Sequence, residues 1–472
     1  MNEKYNILIC FAKLGAGGIE TACLTQIKEF ARRGYNVFVL AEDGMYSEVL
    51  KSIEGVTHLN FKYDSRNSFN LNKIKEVVEI IIQNNIKLVY IHQIDCVSSV
   101  FSACIFMRIP YIAYVHHGIL GVYDEELSIG NISNNFLQLY YKYAYKIITI
   151  SELSKEENKE RFNITEDKYK VIPNCIDFEN FKTSNPININ NVLLISRFEK
   201  DKGNGVINGL KFFKTYKKLN PDARLTIVGG GSKEDEVKEI IKSMNIECEM
   251  LGRRNDVKEI MEKNGIILGV DRCIQEAIAL KRYAVVTGYE NFQGLVLLDY
   301  IEEFSKNNFS KKSEEGLDYK EIAEKIFFLK EEEKKEITNG NYKWLIKNRN
   351  IQNNLCEIED INNIKNPLEN IDYKEVIEIL FGELQYMHTW MQKEIDRGWD
   401  VRQQTEDYYL NRENWNELQI QEKEKEIEQL KEENAKIKEQ LNTTLNSNSW
   451  KLIERIRNNK FISKFTGKSK KD

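Results

Sequence analysis

The sequence predicts an α/β protein with two doubly wound parallel-sheet domains and a C-terminal helical tail. Short apolar runs alternate with helical patterns through the first 345 residues, as expected of parallel sheets covered by helices. The alternation is interrupted at residues 172–190, where two prolines and several asparagines indicate a connection between domains. From residue 372 the chain is rich in Glu, Lys and Gln, which favours exposed helix.

Eleven apolar segments are predicted strands. In the first domain they are residues 6–11, 36–40, 87–91, 111–115, 146–150 and 169–172. In the second domain they are residues 192–195, 224–228, 248–251, 265–270 and 283–286. The predicted divisions are a first domain at 1–176, a second at 177–345, a linker at 346–371, a helical or coiled-coil tail at 372–449 and a basic amphipathic terminus at 450–472. We expect a ligand in the cleft between the two domains.

Composition narrows the class of function and the compartment. The net charge of −5 does not favour nucleic acid as a partner, because binding to its phosphates needs a basic surface. The eight cysteines form no CxxC motif and no local cluster with histidine, so we expect neither a disulfide framework nor a zinc site. There is no signal-peptide h-region and no apolar segment of membrane-spanning length, so we expect a cytoplasmic protein whose membrane contacts are peripheral.

A glycine-rich turn follows the first predicted strand and precedes a helical pattern. It reads LGAGGIE and contains Gly17, Gly18 and Glu20. Glycines let the backbone approach a ligand closely, and the start of a helix favours an anion. The pattern is not GxGxxG, so a tight turn without a ligand remains an alternative. We expect Glu20 to be structural, because a carboxylate in the first turn complements the helix dipole.

The first strand of the second domain delivers two cations onto the loop at its carboxyl end. The segment reads NVLLISRFEKDKG and supplies Arg197 and Lys202. Ligands of open α/β sheets bind at this end of the strands, and a guanidinium together with an ammonium suits a diphosphate. The alternative is a solvated turn with ordinary surface charge.

Other candidate residues also follow predicted strands. His117 can hydrogen-bond a sugar hydroxyl, whereas we expect His92 and His116 to be structural. The glycines around Gly230 either let a nucleotide base or ribose approach the backbone or form a flexible turn. Glu276, on a predicted helix, either accepts the protons of two ribose hydroxyls or is an exposed helical carboxylate.

Taken in order, several segments resemble glycosyltransferase family 4. They are GGIE, HHG, ITISE, VIPNCID, SRFEKDKG, VGGGS, LGRRNDV and CIQEAIALKRYAVV, and the resemblance covers about residues 6–296. It implies the GT-B fold, an acceptor-side first domain, a nucleotide-sugar-binding second domain and sugar transfer with retention at the anomeric carbon. It also implies that no cofactor and no metal ion are needed, because the leaving phosphate oxygen can accept the proton of the acceptor hydroxyl.

The resemblance also implies roles for individual residues. Arg197 and Lys202 would bind the donor diphosphate and Glu276 the ribose. Gly17 and Gly18 would lie against the phosphates or the donor sugar, and His117 matches the position near the sugar.

One departure from the family pattern concerns the donor sugar. The family often has two glutamates separated by seven residues, and the position of the first is occupied here by Leu268. The loop before Glu276 is also short. Arg272 could restore phosphate contacts, and either Asp271 or Glu290 could bind a donor-sugar hydroxyl.

The tail contains a heptad pattern followed by a basic terminus. The seam has Ile420, Ile427, Asn434 and Leu441 at a, and Leu430, Ile437 and Thr444 at d. This pattern predicts a modest coiled coil that allows homo-oligomerisation, and a single charged helix is the alternative. Beyond residue 450, aromatic and aliphatic residues interleave with Lys and Arg, which is typical of a helix lying on an anionic membrane.

Together these patterns predict a retaining hexosyltransferase that acts at the inner membrane face in synthesis of a bacterial surface polysaccharide. Its expected partners are a UDP- or GDP-linked sugar, a glycan or lipid-linked acceptor, and an anionic membrane. The alternative is a non-catalytic nucleotide-sugar-binding scaffold of a glycan assembly complex. Leu268 and the long tail favour this alternative, whereas Arg197, Lys202 and Glu276 favour the enzyme.

Overall fold

The computed structural model describes residues 4–15, 17–63, 70–116, 133–183, 185–199, 203–358, 360–410 and 417–446. Two predicted site residues, Lys202 and His117, lie outside these ranges. The basic terminus at 450–472 also lies outside them.

The first sheet has seven parallel strands in the order β3-β2-β1-β4-β5-β6-β7. The strands are β1 (Asn6–Lys13), β2 (Asn36–Glu42), β3 (Val56–Asn60), β4 (Ile86–Ile91), β5 (Tyr111–Val115), β6 (Lys146–Thr149) and β7 (Tyr169–Val171). The helices in this part of the chain are α1 (Gly18–Arg32), α2 (Ser47–Lys51), α3 (Leu71–Gln83), α4 (Ser102–Met107), α5 (Asn134–Tyr143) and α6 (Glu152–Phe162). Strands β4 and β5 are apolar almost throughout because both of their faces are buried.

The second sheet has six strands in the order β10-β9-β8-β11-β12-β13. The strands are β8 (Asn191–Ile195), β9 (Arg224–Val228), β10 (Cys248–Met250), β11 (Ile266–Gly269), β12 (Tyr283–Val286) and β13 (Gly294–Leu295). Only β13 pairs antiparallel among these described strands. The helices are α7 (Gly203–Leu219), α8 (Glu234–Ser243), α9 (Val257–Glu262), α10 (Arg272–Ala279), α11 (Ile301–Lys306), α12 (Tyr319–Phe327), α13 (Glu331–Arg349) and α14 (Ile351–Asn354).

The structure confirms two doubly wound parallel sheets and contains all eleven predicted strands. Two further strands were not predicted. Strand β3 is a partly exposed edge strand with the sequence VTHLN, which has little apolar alternation. Strand β13 has only two residues, too few for any periodic pattern.

The segment predicted to be a linker, residues 346–371, is partly buried in the structure. Helix α13 continues to Arg349, and the chain beyond it returns to the first sheet. The apolar residues Ile351, Leu355, Cys356 and Ile358 are buried in the core of that sheet. The many polar residues between them make the segment resemble a linker. The apolar side chains spaced among them are nevertheless buried against the first domain.

A charged cluster around Glu357 fixes the returning segment. Its carboxylate accepts hydrogen bonds from Lys4 Nζ at 2.8 Å, from Tyr35 Oη at 2.8 Å and from the Arg33 guanidinium. Burial alone would raise the pKa of the Glu357 carboxyl, but these donors outweigh burial and leave its pKa below the usual value. The carboxylate therefore stays ionised at neutral pH and holds the returning segment through charge-assisted hydrogen bonds.

The chain forms two compact units, the first of which contains both sheets. The second contains α15 (Tyr373–Leu410) and α16 (Glu417–Asn446), which contact each other. The predicted helical tail is thus helical where it is described. The half-buried positions of α16 include Ile427, Leu430, Asn434, Ile437 and Leu441, the predicted seam, while the positions between them are exposed.

The polar seam residue Asn434 faces a glycine of the neighbouring helix. A Cβ atom at Gly398 of α15 would collide with the Asn434 amide, whose Nδ2 donates to the Leu430 carbonyl oxygen at 3.0 Å. The helix that covers the α16 seam is therefore α15 of the same chain. Self-association through this seam stays a prediction.

Within the part of the chain that is described, no helix combines the length and the apolar composition required to span a bilayer.

Candidate active site

The predicted site residues lie at the carboxyl ends of strands in both sheets. Gly17 and Gly18 follow β1, Arg197 follows β8, Gly230 follows β9, and Glu276 lies on the helix after β11. This is the edge at which open α/β sheets bind their ligands. The candidate residues are thus separated in sequence by up to more than half of the chain.

The start of α1 is an open backbone edge. Gly17 is the N-cap residue, and its carbonyl oxygen accepts hydrogen bonds from the backbone and hydroxyl of Thr21, at 3.0 and 2.8 Å. A Cβ atom at Gly17 would collide with the Glu20 carboxylate, whereas one at Gly18 would meet no described atom within 4 Å. The space beside Gly18 suits an anion approaching the first N–H groups of the helix.

Glu20 was predicted to be structural, but its carboxylate interacts electrostatically with the candidate site residue Arg197. Burial raises the pKa of its carboxyl, while a hydrogen bond from Gln93 and the positive charge of Arg197 oppose that rise. The Gln93 side chain is itself held by a hydrogen bond from the Ala12 backbone N–H to Oε1, at 2.6 Å. The positive charge of Arg197, on the other α/β domain, therefore acts on the Glu20 carboxylate. The position of Glu20 in the first turn of α1 does not by itself indicate this electrostatic interaction.

Arg197 lies on a loop that packs closely against the glycine-rich loop after β9. The Arg197 side chain is exposed. A Cβ atom at Gly229 would collide with the Ser196 carbonyl oxygen, so the two loops contact each other backbone to backbone. The Ser232 hydroxyl donates to Glu199 and joins the loops a second time. The glycines are needed for this packing, and ligand contact at Gly230 stays a prediction.

A buried arginine, which forms an ion pair within helix α10, also joins that helix to helix α1. Arg272 Nε donates to Glu276 Oε1 at 2.8 Å, and the two side chains are only 7% and 14% exposed. Arg272 Nη2 donates to Thr25 Oγ1 at 3.1 Å, and Nη1 donates to the Cys175 carbonyl oxygen at 3.1 Å. One guanidinium thus links the helix that carries Glu276, the helix that begins at the glycine-rich turn, and the connection between the domains.

This arrangement bears on the predicted roles of both residues. Burial raises the pKa of the Glu276 carboxyl, and the adjacent guanidinium opposes that rise. Arg272 engages only one oxygen of this carboxylate. Ribose binding by Glu276 and phosphate binding by Arg272 stay predictions. For Arg272, the guanidinium already donates to three protein groups.

The residue before α10 is in a strained conformation. Asp271 has φ 57° and ψ −129°, a combination that is rare for residues other than glycine. Its carboxylate accepts a hydrogen bond from the Tyr289 hydroxyl, and its backbone N–H donates to the Phe309 carbonyl oxygen at 3.1 Å. Leu268, by contrast, is fully buried in β11. Asp271 lies two residues beyond the end of β11, whereas Leu268, at the position that family spacing assigns to the first glutamate, lies inside the strand.

The two histidines predicted to be structural are buried side by side. His92 and His116 are 1% and 7% exposed, and His92 Nδ1 lies 3.0 Å from His116 Nε2. Burial lowers the pKa of His92 to about 3, so its imidazole is neutral at physiological pH. Both residues follow strands of the first sheet, His92 after β4 and His116 after β5.

Comparison with known proteins indicates the class of protein to which this chain is similar. Residues 16–180 match the family model described as Glycosyltransferase Family 4, and residues 176–269 match that of Glycosyl transferases group 1. Structures of a Rickettsia africae glycosyltransferase and of Anabaena HepE with UDP and glucose have TM-scores of 0.56 and 0.54. They are 21% and 17% identical, cover 78% and 73% of this chain, and are themselves covered over 100% and 95% of their length.

The two α/β domains thus match models of glycosyltransferases, and the chain has the GT-B fold. The predicted resemblance to glycosyltransferase family 4 and the predicted GT-B fold are thereby confirmed. A curated Campylobacter jejuni relative, an N-acetylgalactosamine-N,N'-diacetylbacillosaminyl-diphospho-undecaprenol 4-alpha-N-acetylgalactosaminyltransferase, is 27% identical over 175 residues, or 35% of this chain. An uncharacterized Methanocaldococcus jannaschii glycosyltransferase is 23% identical over 247 residues, or 46% of this chain. The chain spans about half the length of these relatives, 47% and 59%.

Proposed function

We propose that this protein is a retaining hexosyltransferase that moves a sugar from a nucleoside diphosphate to a glycan or carrier-linked acceptor. The observation that carries this proposal is the hydrogen bond from Arg272 to Thr25. It joins the helix of Glu276, the predicted ribose-binding residue, to the helix that starts at Gly17 and Gly18. A nucleotide held by the second domain would then present its phosphates towards the open start of α1.

The residues at this edge suit departure of a nucleoside diphosphate. The bond from the anomeric carbon to the phosphate oxygen breaks, and negative charge accumulates on that oxygen. Arg197, together with the predicted contribution of Lys202, would stabilise this charge. The acceptor hydroxyl bonds to the anomeric carbon from the same face and gives its proton to the departing phosphate oxygen. No residue of the protein needs to form a covalent bond with the sugar in this scheme.

The donor-sugar contact would come from the short loop before α10. Asp271 is the first carboxylate after β11 in the sequence; the N–H of its strained backbone donates to Phe309 and its carboxylate accepts from Tyr289. Strain of this kind accumulates where a fixed geometry serves a ligand. We infer that Asp271 binds a hydroxyl of the donor sugar, a contact that the buried Leu268 cannot make.

The names of similar proteins support particular substrate classes. The Campylobacter jejuni relative is named for α-transfer of N-acetylgalactosamine to a sugar on diphospho-undecaprenol, and the Anabaena structure contains UDP and glucose. We propose a UDP- or GDP-linked donor and a lipid-linked acceptor in surface polysaccharide synthesis, with the protein acting from the cytoplasm at the inner membrane face.

Nucleotide release from a panel of UDP- and GDP-linked sugars, with and without bacterial lipid extract, tests the proposed activity. We expect release with at least one donor, enhanced by lipid extract. Glu276→Gln, which keeps the side-chain shape but removes the charge, should weaken nucleotide binding about tenfold or more, as expected for loss of a charge-assisted hydrogen bond. Calorimetric titration with UDP and GDP measures this change.

Glu259→Gln is the matched control, because Glu259 is an exposed glutamate on α9 of the same domain. It should bind nucleotide like the parent. Binding of a nucleotide without release from any donor would favour the non-catalytic scaffold instead. Parental affinity in Glu276→Gln would restrict Glu276 to its ion pair with Arg272.

Deletion of residues 450–472 tests the proposed membrane contact. Both α/β domains remain whole in this variant, so transfer to a soluble acceptor should persist. Binding to anionic vesicles should fall, because each basic residue near such a surface contributes about 1 kcal/mol. High salt should reproduce part of the loss in the full-length chain. Vesicle sedimentation that is equal for both proteins would place the membrane contact elsewhere in the chain.

A further inference from the structure

Three side chains that can bind a metal ion meet at the carboxyl edge of the first sheet. Cys23 comes from α1, His92 follows β4, and His116 follows β5. One ligand atom from each lies within 4.8 Å of the other two. The three residues are 0%, 1% and 7% exposed, so the cluster is enclosed by protein.

The imidazole rings of this cluster are fixed in place. His92 Nδ1 and His116 Nε2 are 3.0 Å apart. The His92 ring stacks on Tyr114 with centroids 4.1 Å apart and an interplanar angle of 20°. The backbone N–H of His92 donates to the Cys10 carbonyl oxygen at 2.9 Å, which ties its backbone to β1. A preformed arrangement of ligand atoms loses little conformational freedom when a cation binds.

The surroundings of the cluster have unmet hydrogen-bonding capacity. Among the described residues, no hydrogen-bond partner is found for the buried His92 Nε2, whereas Tyr114 and Gln26 interact with each other. Gln26 lies one helical turn after Cys23 on α1. Buried polar atoms are rarely left without partners, so His92 Nε2 is a candidate ligand atom for a cation.

The ligand types select a particular class of cation. A cysteine sulfur and two imidazole nitrogens suit Zn²⁺ and related borderline metals, whereas Mg²⁺ and Ca²⁺ prefer oxygen ligands. With Cys23 as thiolate, a divalent cation would leave one net positive charge. Glu20 lies one helical turn earlier on α1. The carboxylate of Glu20 would offset the remaining positive charge.

We propose that Cys23, His92 and His116 form a structural site for Zn²⁺ or a similar thiophilic divalent cation. The fourth position is left to water or to Gln26. The cation would tie α1 to the ends of β4 and β5 and so fix the helix that starts at Gly17 and Gly18. This site has no part in the sugar-transfer chemistry, and it does not depend on the proposed activity.

Metal analysis of the full-length chain, purified without a metal-affinity tag from zinc-supplemented medium, tests this site. We expect about one zinc ion per chain, as for a single site of this ligand count. Substitution by Co²⁺ should give the near-ultraviolet thiolate-to-cobalt absorption of a cysteine ligand. Zinc should also raise the thermal midpoint, because it binds only the folded state.

Cys23→Ser and His92→Gln should lose the bound zinc and the cobalt absorption. Cys104→Ala and His58→Gln are matched controls in the same domain, outside the cluster, and should retain both. Circular dichroism establishes that each variant is folded, and Cys23→Ala replaces Cys23→Ser if the latter fails to fold. A folded parent chain without zinc and without cobalt absorption would overturn the proposal. Zinc retained equally by the cluster variants would also overturn it, since the metal would then be bound elsewhere.

Discussion

Arg272→Ala is expected to reduce the free energy of unfolding by about 3–5 kcal/mol, the usual cost of removing one partner of a buried ion pair. The substitution leaves the Glu276 carboxylate in a buried environment without its cation. It also removes the donors to Thr25 and to the Cys175 carbonyl oxygen. Urea denaturation followed by circular dichroism measures the loss.

Arg254→Ala is the matched control for this experiment. Arg254 lies on the same domain, but its guanidinium pairs only with Asp256 at an exposed site among the described contacts, so stability should change little. Arg272→Lys should be intermediate, because an ammonium keeps the charge but cannot reach three partners in a fork. A loss in Arg272→Ala no larger than in the control would mean that water readily replaces the buried guanidinium.

Arg197→Ala is expected to raise the dissociation constant for UDP or GDP by about 10- to 150-fold. This corresponds to about 1.5–3 kcal/mol, the range for a hydrogen bond to a charged group. Because leaving-group charge increases in the transition state, kcat should fall as well. Lys202→Ala should act in the same direction. Calorimetric titration and initial rates of nucleotide release measure the two effects.

Arg254→Ala again supplies the comparison, since it removes the same charge from the same domain and its guanidinium pairs with Asp256. Its nucleotide affinity should match that of the parent. Exposed Arg197 is not part of a domain core, so Arg197→Ala should retain parental thermal stability. Parental nucleotide affinity in both Arg197→Ala and Lys202→Ala would exclude the proposed diphosphate site.

Much of the fold could be predicted because buried parallel strands are short apolar runs separated by helical patterns. Apolar segments as short as β5 and β12 are too short for buried helices, so a strand is the structure that their length predicts. Strand β3 could not be predicted, because an exposed edge needs little apolar sequence. The returning segment at residues 351–358 was also missed, since its apolar side chains are spaced singly among polar ones and their burial depends on a surface formed far away in the sequence.

The candidate site could be predicted in outline for a related reason. Residues that follow strands share one edge of a sheet, so Arg197 and Gly230 could be grouped before any coordinates were known. The partners across the two domains could not be grouped in this way. The contacts of Arg272 with Thr25, the influence of Arg197 on Glu20, and the meeting of Cys23 with His92 are all long-range, and no local spacing encodes them.

The returning segment has a consequence for synthesis of the chain. Lys4 and Glu357, which form an ion pair, are separated by 353 residues. The amino-terminal sheet therefore emerges from the ribosome long before Leu355 and Ile358 arrive to cover part of it. At about 5–20 residues per second, translation from the end of β7 to Ile358 takes roughly 10–40 s. During that time the uncovered apolar surface is accessible to chaperones and to other nascent chains, and the first domain completes its folding only after the second has been translated.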